Sequence, residues 1–184
     1  MTILMGMKVS GQSVVLMTDS LRVGDGYVVE LARKLTVLPG LYCVAHAGSV
    51  DEHYAAFYGL SSGPDADLFD PRFWKARRDK ERETLATNPK VEDWGAVLLI
   101  ARGDTLVTVA TRGEVWASDY WTAAGAGEEL ASYLIRKAWQ PLMTQAYALE
   151  LGRHVIAELA YHRPGQVGGP MQSVDTRDGI IHVD

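Results

Sequence analysis

The 184-residue chain sets 18 Lys and Arg against 23 Asp and Glu, a formal charge of −5, and no basic run is long enough to give it the electrostatic footprint of a nucleic-acid binder. No apolar run approaches the roughly 18 to 20 residues that span a bilayer, and no basic region with an apolar core marks a secretory signal at the N-terminus. Cys43 is the only cysteine, so an internal disulfide is excluded and the chain suits a reducing cytoplasm.

The length accommodates one domain with a sizeable core, and no linker or internal repeat divides residues 1–184. In chain order, Ile3 to Lys8 and Ser13 to Asp19 are strand-length apolar runs joined by a turn at Ser10-Gly11-Gln12. Val23-Gly24-Asp25-Gly26 predicts a turn. Lys34 to Leu38 and Leu41 to His46 flank Pro39-Gly40, which predicts a second hairpin. The second run holds Cys43 inside Leu41-Tyr42-Cys43-Val44-Ala45, the setting of a buried, inert thiol rather than a nucleophile.

Ala47-Gly48-Ser49-Val50-Asp51 then opens a helix, with Ser49 as N-cap and Asp51 and Glu52 in the first turn. Ser61 to Asp67 reads as a loop, and Pro71 as the start of a charged helix running to about Leu85. Within it, Lys75-Ala76-Arg77-Arg78-Asp79-Lys80 interleaves acid with base, as a solvated helix face does. Ala96 to Ala101 and Thr105 to Ala110 form a hairpin around Gly103-Asp104. Glu114 to Ser118 and Trp121 to Ala124 follow as strands.

Leu130, Ala131, Leu134, Ile135, Ala138 and Trp139 recur at helical spacing, and a second helix covers roughly Thr144 to Tyr161. Met171 to Asp175 and Ile180 to Val183 close the chain as strands around Arg177-Asp178-Gly179. His154 and His162 read as solvated, and no His, Cys, Asp and Glu cluster has metal-ligand spacing. Neither a metal nor a cofactor is expected. The order strands, helices, strands, helices, strands predicts an α+β fold: a four-layer αββα sandwich of two antiparallel sheets flanked by helix pairs.

With threonine at the second position, this order resembles the proteasome β-subunit family of threonine-type N-terminal-nucleophile hydrolases. The resemblance covers nearly the whole chain. Its pieces are Thr2-Ile3-Leu4-Met5-Gly6, Val14-Val15-Leu16-Met17-Thr18-Asp19-Ser20, Ala32-Arg33-Lys34-Leu35, Ala45-His46-Ala47-Gly48-Ser49-Val50-Asp51, Gly125-Ala126-Gly127-Glu128-Glu129, Gly168-Gly169-Pro170 and Arg177-Asp178-Gly179. Each is weak alone; their order and spacing carry the likeness.

The resemblance implies a threonine peptidase in which Thr2 becomes the N-terminal nucleophile after Met1 is removed. The chemistry is sound. A threonine hydroxyl needs a base, and a freed α-amine with a pKa near about 8 lies beside it. Lys34 is the expected ammonium that lowers the amine pKa, and Asp19 the carboxylate that holds Lys34. The Gly48 N–H is the expected oxyanion donor. Ala32, His46 and Val50 match positions that line the family's substrate pocket. The resemblance also implies stacked homo-oligomeric rings acting on peptide or unfolded protein. An ATP-driven unfoldase partner has no signal in the sequence, which carries no P-loop.

Three positions depart from the family. Ala126 replaces the serine of a Gly-Ser-Gly turn, and Pro164 and Val167 stand where an aspartate and a serine orient the nucleophile. Bacterial heat-shock-locus relatives lack part of this set and keep the Thr, Lys and Asp core. Two other readings stay open: a structural ring subunit without activity, and an N-terminal-nucleophile amidase acting on a small metabolite.

Overall fold

The computed structural model describes residues 2–24, 27–48, 67–77, 79, 96–110 and 113–184. Two five-stranded antiparallel sheets stack face to face. In the first, β1 (Ile3–Val9) lies between β10 (Trp121–Gly125) and β2 (Ser13–Asp19), and the sheet continues through β11 (Met171–Asp175) to β12 (Ile181–Val183). The second runs β5 (Leu35–Leu38), β6 (Tyr42–Ala47), β7 (Val97–Arg102), β8 (Thr105–Val109) and β9 (Val115–Ala117). Helices α1 (Glu128–Ala138) and α2 (Gln145–His162) cover the outer face of the first sheet.

Strand periodicity sorts the apolar side chains into three layers. On β1, Ile3, Met5 and Met7 face the helices, while Leu4 faces the second sheet. On β2, Val15 and Met17 face out, and Val14 and Leu16 face in. On β6 and β7 the inner set is Cys43, Ala45, Leu99 and Ala101, and the outer set is Tyr42, Val44, Leu98 and Ile100. Small residues let the layers approach. A Cβ on Gly6 would come within 2.8 Å of Leu106, and one on Gly152 of α2 would collide with Met17.

Most predicted elements form within a residue or two of the expected bounds. Two strands that the sequence did not suggest flank the turn expected at Val23–Gly26. Leu21–Gly24 (β3) pairs with Tyr27–Leu31 (β4) as a separate hairpin, with Asp25 and Gly26 outside the described residues. Tyr27-Val28-Val29 is a run of strong strand formers, and it pairs back rather than serving as a connection. The helix expected from Ser49 lies outside the described residues, as does the charged helix beyond residue 77 apart from residue 79. Residues 71–77 are helical. Trp74 is buried there against the outer face of the second sheet, and its indole N–H donates to Leu68 O at 2.9 Å. No helix among the described residues is long and apolar enough to cross a membrane.

One glycine bears directly on residue 2. Gly125 has φ +97°, and a Cβ there would collide with the carbonyl of Thr2. Gly103, in the β7–β8 turn, has φ +57° and open space around it. We predict that Gly125→Ala lowers stability by about 1–3 kcal/mol or more, and that Gly103→Ala costs only about 1 kcal/mol of backbone strain. Urea denaturation of the two variants checks this; equal losses would contradict it.

Candidate functional site

Asp19 ends β2 with its side chain fully buried. Its Oδ1 accepts from the backbone N–H of Ile3 at 3.1 Å and from Lys34 Nζ at 3.1 Å. Its Oδ2 accepts from the N–H of Gly168 at 3.2 Å. One carboxylate therefore joins the start of β1, the loop before β5 and the loop before β11. Lys34 is nearly as buried, and its ammonium also donates to Leu21 O at 2.6 Å.

The two charges are each disfavoured by burial. Loss of water raises the Asp19 carboxyl above its ordinary range and lowers the Lys34 ammonium, and the attraction between them offsets this only in part. The pair is held by geometry set elsewhere. Lys34 N donates to Gln172 Oε1 at 2.9 Å, and Gln172 Nε2 donates to Ala32 O at 2.6 Å. Gln172 lies on β11, so pairing of β11 with β2 fixes the loop that carries Lys34.

Thr2 is 8% exposed and sits one residue before the amide that Asp19 holds. Its carbonyl accepts from Ala126 N at 2.7 Å, and Thr18 Oγ1 donates to Ile3 O at 2.8 Å. Residue 2 is thus fixed from both sides by main-chain contacts. Gly48 is exposed with φ +141°, and a Cβ there would approach Ala96 Cα to 2.6 Å. It follows Ala47, whose Cβ lies 3.6 Å from the position a Gly125 side chain would take beside Thr2. The end of β6, just before Gly48, therefore lies near residue 2.

Of the three expected pocket residues, Ala32 and His46 are half-buried and tied to the same cluster. Ala32 N donates to Ser20 O at 2.7 Å, and His46 N to Lys34 O at 3.1 Å. Val50 lies outside the described residues, as does Met1. Cys43 is buried between the sheets, and that burial, with Asp175 and Asp178 nearby, pushes its thiol up to about 12. It is not a thiolate at neutral pH. His154 and His162 are exposed.

Sequence reasoning missed Gln172, the amide of Gly168 as a partner of Asp19, and the amide of Ala126 as a partner of Thr2. The double glycine and the Gly-Ala-Gly turn marked the last two segments, but not the acceptors they meet. Gln172 carried no signal, because a glutamine on a strand is an ordinary residue until the strand's neighbour is known.

No family model matches the sequence, and no curated protein does. Solved structures do. Anbu (ancestral beta-subunit) from Yersinia bercovieri superposes with a TM-score of 0.75 at 13% identity, over 98% of this chain and 86% of that one. An Anbu mutant from Hyphomicrobium sp. strain MC1 gives 0.76 at 14% identity, over 100% and 87%. Thiobacillus denitrificans BPH in complex with epoxomicin gives 0.72 at 20% identity, over 95% and 97%. The fold is the proteasome-like N-terminal-nucleophile sandwich. At these identities the likeness shows the fold, and it spans nearly all of this chain.

The buried pair makes a prediction with a sign. Removing either partner leaves a lone buried charge and should cost about 3–5 kcal/mol near neutral pH. In Lys34→Met, the Asp19 carboxyl rises further above its unfolded value. The folded state then holds a proton the unfolded chain has lost, so stability falls as pH rises from about 4. In Asp19→Asn, the Lys34 pKa falls further below its unfolded value. The unfolded chain then holds the extra proton, so stability rises with pH towards about 10. Denaturation midpoints over a pH series should show opposite slopes; parallel profiles would refute the assignment.

Proposed function

We propose that this protein is a threonine-type peptidase subunit of a self-compartmentalising ring assembly, with Thr2 as its nucleophile once Met1 is removed. The observation that carries the reading is that Asp19 Oδ1 holds both the amide adjoining Thr2 and the Lys34 ammonium. An ammonium has three N–H donors. Asp19 and Leu21 take two of them, and this reading assigns the third to the Thr2 hydroxyl.

In this mechanism the neutral α-amine of Thr2 takes the hydroxyl proton, directly or through a water. The fixed positive charge of Lys34 favours the neutral amine and the developing alkoxide. Oγ1 attacks the scissile carbonyl, and the oxyanion forms against the Gly48 N–H, where the missing side chain lets a substrate approach. Collapse expels the amine product, which receives the proton, and leaves an ester on Thr2. Water then attacks that ester with the α-amine again as base. Ala32, His46 and Val50 are assigned to the substrate pocket. Extended peptide or unfolded protein is the substrate class. The assembly acts in the cytoplasm, with an ATP-driven unfoldase as a compatible partner.

A second reading, a ring subunit without activity, is favoured by one set of observations. Ala126 offers only its amide to Thr2, and Val167 is packed into the core beneath α2. Pro164 is exposed, and none of the three side chains can hydrogen-bond the amine. Met1 retained in protein from the native host, by intact mass, would favour that reading.

Protein with Met1 excised, treated with a peptide epoxyketone, is expected to gain one inhibitor mass located on Thr2. Thr2→Ala should gain none, and Lys34→Ala should react about 10²–10⁴-fold more slowly. Failure of the Met1-free wild type to react would sink the peptidase reading and leave the structural one.

A further inference from the structure

The residues around Asp19 are divided between the two sheets. Thr2 immediately precedes β1 and Asp19 ends β2, both in the first sheet. Lys34 immediately precedes β5, in the second. Its main chain is tied there too, since Lys34 O accepts from His46 N of β6 at 3.1 Å. The ammonium must therefore be held at a fixed distance from residue 2 across the boundary between layers. A lysine side chain is poorly suited to that on its own, because its long, flexible stem has many rotamers.

Gln172 spans that boundary. It lies on β11 in the first sheet, only 4% exposed, directly opposite Thr18 of β2. Thr18 stands opposite Leu4 of β1, and its hydroxyl donates to Ile3 O at 2.8 Å. One row across β1, β2 and β11 thus fixes the start of β1 and ends in the Gln172 side chain. The oxygen of that side chain accepts from Lys34 N at 2.9 Å, and its NH2 donates to Ala32 O at 2.6 Å. Ala32 is closed on its other side as well, since its N–H donates to Ser20 O at 2.7 Å. A primary amide carries both the donor and the acceptor that this bridge needs, and it does not titrate.

We propose that Gln172 is a positioning residue for the reaction: it ties the Lys34 ammonium and the pocket residue Ala32, as one unit, to the sheet that carries Thr2. The proposal rests on the peptidase reading of the same site. Without the tie, the Lys34 main chain follows the second sheet and the ammonium loses its fixed distance from the Thr2 hydroxyl. Ala32 moves with it, so the pocket and the charge lose their alignment with the nucleophile together. Alignment of this kind governs rate, because small displacements of a catalytic group are costly even when the fold survives.

Two variants test it in Met1-free protein, with epoxyketone labelling of Thr2 read as a rate per folded molecule. Gln172→Met keeps the length and removes both hydrogen bonds, and labelling should slow by about 10- to 100-fold at every pH. Gln172→Glu is conditional. Protonated, its carboxyl accepts from Lys34 N and donates to Ala32 O, as the amide does; ionised, it has no proton for Ala32 O. Burial lifts that carboxyl above its usual value of about 4.3. The ratio of its rate to the wild-type rate should approach unity at low pH and fall as pH rises through the carboxyl pKa. The ratio cancels titrations common to both proteins, those of the Thr2 amine, Asp19, Lys34 and His46 among them. A residue that only supported the fold would lower the folded fraction and leave both the rate per folded molecule and the ratio unchanged. If Gln172→Met misfolds by circular dichroism, Gln172→Glu at low pH, with both bonds restored, still decides the matter. A second measurement needs no activity. The Cε carbon resonance of Lys34 should titrate below an ordinary lysine in the wild type, and back towards about 10.4 in Gln172→Met as the ammonium gains water. A pH-independent ratio for Gln172→Glu, a full rate for Gln172→Met, or an unchanged Lys34 titration would each overturn the proposal. A wild type that is not labelled at all rejects the peptidase reading, and the Lys34 titration then decides by itself whether Gln172 sets the ammonium.

Discussion

A carboxylate taken out of water must have its lone pairs met, and most of this molecule's arrangement near residue 2 follows from how Asp19 meets that demand. Its partners come from three separate stretches of chain: Ile3 N, Lys34 Nζ and Gly168 N. Desolvation disfavours both charges of the ion pair, so the pair is not a source of stability in itself. It persists because the surrounding sheets hold the partners where they are. The result is an ammonium, a carboxylate and a fixed stretch of backbone concentrated at one buried point.

The sheets perform that holding through register. β2 pairs with β1 on one side and with β11 on the other, so Asp19 ends between the start of β1 and the start of β11. A one-residue slip of β2 would turn Asp19 and Thr18 to the opposite faces and move Leu16 out of the inter-sheet core. The apolar alternation of Val14 to Met17 therefore secures the position of a charged residue two places further on. Gln172 extends the same logic to Lys34, since it bridges the backbone of Ala32 and Lys34 from β11. In the Gly-Ala-Gly turn, Ala126 holds Thr2 through its amide rather than its side chain.

Much of this was legible in advance. Period-two alternation on β1, β2, β6 and β7 and helical spacing on α1 and α2 are local properties, and each predicted element formed close to its expected bounds where it is described. The β3–β4 hairpin was not anticipated, because Gly24 and Gly26 outweighed the strand-forming run Tyr27-Val28-Val29 that lies beside them. Asp19 and Lys34 could be named from their order after Thr2, but the distance between them could not.

The amino-acid order by itself determined the layers, the turns and the absence of any charge pattern suited to nucleic acid, since these depend on periodicity, glycine placement and composition within a few residues. Tertiary structure decided which buried groups share a proton acceptor. Ile3, Asp19, Lys34, Gly168 and Gln172 are spread along most of the chain, and hydrogen bonds form only between groups within about 3 Å. Only the packed sheets bring them that close.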